Sequence, residues 1–231
     1  IANLLYCTSH RTNAPFVHID LGTIPEQLFE SELFGHEKGA FTDAKKEKKG
    51  RFEIASGGTL FLDEIGNLSL QMQTKLLTAI EKQQITRLGS TATINMNVRM
   101  ICATNADIHQ MVEQGKFRQD LLYRINTIEL HIPPLRERGG DIELLANHFL
   151  QRFSKKYKKD IRQISASALR KLREYSWPGN VRELQHIMER AVILASGYSL
   201  SADDFILKPS SRKPKDENLN LEEVERDTIE K

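Results

Sequence analysis

The run Gly57-Gly58-Thr59-Leu60-Phe61-Leu62-Asp63-Glu64 constrains this chain most. Its apolar centre, Leu60 to Leu62, reads as a buried strand that stops at two adjacent carboxylates. It is the second of four strand-like segments. Phe16-Val17-His18-Ile19 is the first, Val98 to Ala103 the third and Ile128 to Ile132 the fourth. Between the second and third, Met72, Leu76, Leu77 and Ile80 recur at helical spacing behind Ser69, which can cap that helix. Strands alternating with helices from residue 16 to about 132 predict a parallel sheet covered on both faces. Ligands of such sheets bind at the carboxyl ends of the strands, where Asp63, Glu64, Thr104 and Asn105 fall. A carboxylate pair there suits a magnesium-bound nucleotide, because Mg²⁺ takes one or two carboxylates together with phosphate oxygens and waters. Asp63 would face the metal, directly or through water. Glu64 would orient and deprotonate a water for attack on the γ-phosphate. A strand that simply runs into a polar loop is the plainer alternative.

Pro133-Pro134 ends this part, since proline can neither donate to a sheet nor continue a helix. Beyond it the pattern is all helical. Asp141 can cap a helix to about Lys156, and Ser165 or Ser167 one through Leu169, Leu172 and Tyr175. Trp177-Pro178-Gly179-Asn180 reads as a turn, with Trp177 as core between helices. A last helix, Val181 to Ala195, carries Leu184, Ile187, Met188, Ala191 and Val192 on one face and meets Gly197 at its end. Residues 208 to 220 are polar and rich in breakers and read as a linker.

With 33 Lys and Arg against 31 Asp and Glu, the chain gives no general case for nucleic-acid binding. No apolar stretch approaches the ~20 residues that span a bilayer. Cys7 and Cys102 fit neither a disulfide framework nor a metal-ligand spacing, and a reducing cytoplasm is the simplest home. Both ends read as cut. Ile1 to Tyr6 resembles the middle of a helix, and Leu221 to Arg226 starts a helical pattern without a terminator.

Longer motifs then narrow the field. Glu30-Ser31-Glu32-Leu33-Phe34-Gly35-His36-Glu37-Lys38-Gly39-Ala40-Phe41-Thr42-Asp43-Ala44 closely resembles the surface-loop signature of the bacterial enhancer-binding proteins, the AAA+ activators of sigma-54 RNA polymerase. The likeness continues through Gly57 to Glu64, Cys102-Ala103-Thr104-Asn105, Phe117 to Arg124, Pro133 to Arg138 and Trp177 to Leu184, so it covers roughly residues 1 to 207. It implies an α/β fold: a three-layer, parallel-sheet AAA+ ATPase domain at 1–134, a small all-helical lid at 135–207, and a linker at 208–231 toward a DNA-binding domain.

The resemblance also implies ATP and Mg²⁺ as ligands, a hexameric or heptameric ring, and the sigma-54 RNA polymerase holoenzyme as partner, with DNA reached only through the domain beyond the linker. Asp63 and Glu64 match the Walker B pair, and Thr104 and Asn105 match sensor I at the γ-phosphate. Arg118 and Arg124 match the arginine fingers that reach a neighbour's site, where a planar guanidinium meets spreading phosphoryl charge. Arg182 matches sensor II. It sits in a first helical turn, where the dipole does nothing for a cation, and a bound phosphate would explain it. Gly39, Ala40, Phe41, Thr42, Asp43 and Ala44 match the loop that grips the sigma factor, and Leu88 to Thr93 a second pore loop. Read without the family, Arg118 and Arg124 are solvated or salt-bridged, Thr104-Asn105 is a turn, Arg182 is helix-surface charge, and Phe41 tips an ordinary hairpin and folds back. The run Lys45-Lys46-Glu47-Lys48-Lys49 is a solvated face or brushes promoter DNA.

Three departures from the family pattern bear on mechanism. No G-x-x-x-x-G-K-[ST] loop occurs in residues 1–231, so this stretch alone is expected to bind ATP weakly or not at all. Asp43 stands where the family has a second glycine, which puts a side chain and a negative charge into the sigma contact. Asp20 stands where the family has an asparagine that holds the Walker B glutamate at rest. Asp20 and Glu64 would repel unless they shared a proton or a cation, so the switch at Asp20 predicts weaker restraint on Glu64. The leading function is therefore an ATP-hydrolysing transcription activator. A nucleotide-responsive ring scaffold or repressor is the alternative, and the Gly39–Thr42 loop argues against a chelatase or helicase loader.

Overall fold

The computed structural model describes residues 1–207; the linker and the helical pattern expected at 208–231 lie outside the described residues. Three parallel strands, Phe16–Asp20 (β1), Thr59–Asp63 (β2) and Arg99–Cys102 (β3), form the central sheet with β2 in the middle. Val17, Ile19, Leu60 and Leu62 point to one face. There they join Phe29, Leu33 and Phe34 of helix α1 (Glu26–Phe34), Phe52, and Met72, Leu76 and Leu77 of helix α2 (Leu70–Lys82) in one core. Ser69 occupies the N-cap of α2 as expected, although its hydroxyl makes no capping bond.

The opposite face is thinly covered. Phe16, Phe61 and His18 form a ring ladder there, with Tyr6 of the short helix Ala2–Cys7 packed 4.9 Å from Phe16, and all stay at least partly exposed. Two-sided cover of the sheet was expected; among the described residues only one face receives a deep core.

The expected fourth strand at 128–132 does not form. Ile128, Leu130 and Ile132 are exposed by 81, 60 and 52 %. Their period-two pattern mimics a strand, but an extended run becomes one only by exchanging ladder hydrogen bonds with a neighbour, and no described strand pairs with this segment.

The chain forms two compact units, Ile1–Glu129 and a second beginning at Leu130. In the second, helices α4 (Gly139–Tyr157), α5 (Ala166–Glu174) and α6 (Asn180–Leu194) enclose a core of Phe149, Leu150, Phe153, Leu172, Leu184 and Met188. It is not wholly helical, since Gln163–Ile164 pairs in parallel with Ser199–Leu200. Trp177 is fully buried, and its indole N–H donates to Leu172 O at 2.8 Å. Ser165 caps α5 by accepting from Ala168 N–H. Asp141, expected as a cap, instead lies inside the first turn of α4, because the chain turns helical at Gly139. A carboxylate is favoured there too. Helix α6 ends before Gly197. Ala195 is already extended, and the Lys159 ammonium donates to Ile193 O and Ala195 O at 3.0 and 2.7 Å, satisfying end carbonyls that a glycine cap would otherwise serve.

Candidate functional site

Strands β1 and β2 run in register, so Asp20 sits beside Asp63 on the same face. This places two carboxylates at neighbouring strand ends, a couple that the Asp20–Glu64 pairing read from sequence did not name. Asp20 Oδ1 accepts from Gly22 N–H at 2.9 Å. Asp63 Oδ1 accepts from Glu64 N–H at 3.2 Å, and Asp63 Oδ2 lies 3.6 Å from His18 Nε2. Asp63 and Glu64 are partly exposed, and neither is spent in a buried ion pair.

Glu64 takes a left-handed backbone, φ 57° and ψ 46°, as the chain leaves β2. The next residue is pinned: Ile65 N–H donates to Ala103 O at 2.9 Å, and Ala103 N–H donates to Leu62 O at 2.9 Å. These bonds carry Thr104 and Asn105 to the same end of the sheet. A Cβ on Gly66 would lie 3.0 Å from Thr104 Oγ1, and one on Gly22 would lie 3.0 Å from Asn67 Nδ2, 3.2 Å from Asp20 Oδ1 and 3.8 Å from Glu64 Cβ. Glycine at 22 thus lets the loop after β1 close over the carboxylates. An open groove of about 350 Å³ lined by Leu21, Gly22, Phe29, Asn67 and Ser69 adjoins them. Among the described residues, no group of three or more His, Cys, Asp and Glu could hold a metal. Two carboxylates are, however, what Mg²⁺ takes from protein when phosphates and waters fill its other positions. The donors fit a magnesium ion that arrives with nucleotide.

Arg118 and Arg124 stand at opposite ends of helix α3 (Gln119–Ile125). Neither has a contact to Asp63 or Glu64 of its own chain among those described. The Arg118 guanidinium clasps Asp120, at 3.0 and 2.6 Å, and donates to Thr74 Oγ1 at 3.3 Å. The hydrogen bond from Arg118 holds the Asp120 carboxyl below its ordinary range. Arg124 is exposed, beside a groove of about 270 Å³ lined by Gln83, Met96, Met100 and Thr127. Arg182 is exposed in the first turn of α6, in the second unit.

The loop at 37–47 grows from a two-stranded ribbon, Gly35–His36 with Lys48–Lys49. Gly39 N–H donates to Ala44 O at 2.8 Å and Ala44 N–H to Phe41 O at 2.9 Å, so residues 39–44 close on themselves. Phe41 is 40 % exposed and rests edge-on against His36, ring centroids 5.0 Å apart. It is therefore neither free nor core. Asp43 avoids the left-handed region, because it is absent from the positive-φ residues of the described chain. The backbone strain expected there does not arise, and only its charge is new to the loop. The second loop lies alongside: Leu88 N–H donates to Gly35 O, Glu37 N–H donates to Leu88 O, both at 2.9 Å, and a Cβ on Gly89 would meet Ala40 Cβ at 2.9 Å.

Two residues that sequence reasoning missed hold these parts. Gln73 is fully buried. It donates to Leu68 O and Lys116 O, at 2.8 and 3.0 Å, and accepts from Arg118 N–H at 2.8 Å. Gln73, unlike Gln71, stands three and four residues before Leu76 and Leu77 on the apolar face, and that was the available signal. Arg87, between the second loop and its strand, pairs with Glu53 at 2.8 Å, Glu37 at 3.1 Å and Glu47 at 3.6 Å. The hydrogen bonds that Arg87 donates to Glu53 raise its pKa further, and no local pattern announces it.

Comparison with known proteins identifies the family of the chain. Residues 1–131 match the model of the sigma-54 interaction domain, and residues 136–221 match that of the AAA+ ATPase lid domain. The chain is similar to the regulatory protein AtoC of Escherichia coli strain K12, 48% identical over 214 residues, covering 93% of this chain and 46% of AtoC. It is similar to the DNA-binding transcriptional activator HyfR of the same strain, 53% identical over 201 residues, covering 87% of this chain and 30% of HyfR. Among solved structures, NtrX from Brucella abortus in complex with ATP superposes with a TM-score of 0.82 at 31% identity, covering 99% of this chain and 52% of that one. The chain spans about half the length, or less, of these relatives.

Proposed function

We propose, since this chain belongs to the sigma-54 interaction domain family of AAA+ proteins, that it is the energy-transducing centre of a sigma-54-dependent transcription activator. In this reading the protein works in the cytoplasm as a hexameric or heptameric ring. ATP hydrolysis between subunits drives the loop at Gly39–Ala44 against sigma-54 RNA polymerase holoenzyme. Residues 1–134 hold the nucleotide, 135–207 form the lid, and 208–231 lead toward a DNA-binding domain.

The observation that carries the reading is the strand end at Asp63–Glu64, with Asp20 in register beside it and Thr104 tied to the same edge. The ATP complex of NtrX supports a nucleotide ligand for a chain of this fold. Asp63 would hold magnesium, directly or through water. The bound ion would supply positive charge against the β- and γ-phosphates. Glu64 would orient the attacking water and accept its proton. Thr104 and Asn105 would contact the γ-phosphate, and Arg182 would bring the lid onto the phosphates. Arg118 and Arg124 would act on the adjoining subunit's site. For Arg118 this requires release from Asp120.

Asp43 favours a second reading: a ring scaffold or repressor of the same fold that hydrolyses ATP without remodelling polymerase. One pair of assays on the intact protein separates the two. Activation requires ATP turnover together with open-complex formation at a sigma-54 promoter. Turnover without open complexes supports the scaffold, and no turnover rejects both.

A further inference from the structure

Gln73 is a polar side chain in an apolar core, fully buried in the first turn of α2 beside Met72, Leu76 and Leu77. A buried carboxamide is tolerated only where its hydrogen bonds are made. Its Nε2 donates to Leu68 O and Lys116 O at 2.8 and 3.0 Å, and its Oε1 accepts from Arg118 N–H at 2.8 Å. Leu68 closes the 3₁₀ turn Ile65–Asn67 that follows Glu64, and its N–H donates to Ile65 O at 3.3 Å. Lys116 and Arg118 flank Phe117 on the segment that enters α3. All of these residues lie in the unit Ile1–Glu129. One amide therefore joins the chain leaving Glu64 to the chain arriving at Arg118.

The core alone does not require an amide here. Phe117 is buried and already anchors its segment, but apolar burial is non-directional, whereas hydrogen bonds fix orientation. The bonds to Lys116 O and from Arg118 N–H grip the backbone on both sides of Phe117 and set the direction in which the chain enters α3. The next residue of α2, Thr74, accepts from the Arg118 guanidinium at 3.3 Å. That bond and the clasp on Asp120 hold only the side chain. The bond from Arg118 N–H to Gln73 holds the main chain, and it persists when the guanidinium swings away.

Given ATP hydrolysis between subunits, the reading on which this inference rests, we propose that Gln73 is a positioning residue: it fixes the main chain from which Arg118 reaches into the adjoining subunit's site. Stabilisation of developing phosphoryl charge depends on donors held in place beforehand, and a misplacement of ~1 Å can cost about 100-fold in rate. The effect of Gln73 therefore falls on the neighbour's ATP. It does not fall on the Glu64 of its own chain, although Gln73 also touches the segment after Glu64. Gln73→Met keeps an apolar side chain of similar length in the core and deletes the bonds to Leu68, Lys116 and Arg118.

Subunit mixing in the intact protein tests it. Gln73→Met alone should turn over ATP about 100-fold more slowly, with KM nearly unchanged, because Arg118 acts in the transition state. Mixed in equal amounts with Glu64→Gln, with subunit exchange verified, it should recover about a quarter of the parent rate. Half of the subunits then carry Glu64, and half of those meet a correctly held Arg118. Mixed with the double variant Arg118→Ala, Arg124→Ala, it should recover nothing, because the only Arg118 supplied is its own. Recovery in the second mixture instead of the first would assign Gln73 to the Glu64 of its own chain and overturn the inference. Recovery in both, recovery in neither, or a parent-like rate of Gln73→Met alone would overturn it as well. Glu64→Gln mixed with the arginine double variant contains Gln73 throughout and separates the failures. Inactivity of that mixture rejects the shared site and the inference with it, whereas its recovery beside a failed Gln73 pattern rejects the inference alone. If Gln73→Met does not assemble, Gln73→Asn, whose carboxamide stops one carbon short of its partners, replaces it with the same pattern expected.

Discussion

Glu64 performs its proposed task from a backbone conformation that a side chain resists. Left-handed geometry costs a non-glycine residue about 1 kcal/mol, and such outliers persist where the surroundings over-determine them. Here the surroundings are the Asp63 carboxylate on Glu64 N–H and the Ala103 carbonyl on Ile65 N–H. Replacing Glu64 by glycine should therefore stabilise the fold by up to about 1 kcal/mol while abolishing ATP turnover. Thermal melts read beside hydrolysis rates check this, and a joint fall in both would mean that Glu64 serves structure. Gln73 makes the opposite case. Gln73→Leu would strand Leu68 O, Lys116 O and Arg118 N–H, and should cost about 2 kcal/mol in denaturant unfolding. A cost near zero would show that those groups rehydrate.

Among the elements, the two loops behave as one. Their roots share hydrogen bonds through Gly35, Glu37 and Leu88, and Arg87 binds Glu37 and Glu47 at both ends of the first loop while anchoring to Glu53. Because Asp43 adds charge to this assembly and no left-handed backbone, Asp43→Gly should tighten capture of the sigma factor a few-fold by the intact protein in the presence of nucleotide. Equal or weaker capture would exclude electrostatic interference by Asp43. Elements were legible wherever a local pattern sufficed. Strands β1, β2 and β3 and helix α2 follow from apolar runs and spacing, and the carboxylates were found because β2 stops at them. The segment 128–132 misled because its alternation is local while strand formation needs a partner. Gln73 and Arg87 were missed for a related reason: apart from Leu68, five residues from Gln73, the partners in their hydrogen bonds lie 34 to 50 residues away, beyond any periodicity.

At the scale of the whole molecule, the carboxylates of one subunit and the guanidiniums of another are proposed to make one site. Within the chain, Arg118 is held by Asp120 and Arg124 is exposed. A head-to-tail contact that closes into a ring would present both to a neighbour. Mixing measures this directly. In the intact protein, Glu64→Gln and the double variant Arg118→Ala, Arg124→Ala should each lose ATP turnover when alone. An equal mixture that exchanges subunits should recover about a quarter of the parent rate, since one subunit then supplies Glu64 and its neighbour the arginines. A mixture as inactive as its components, with exchange verified, would contradict a shared site.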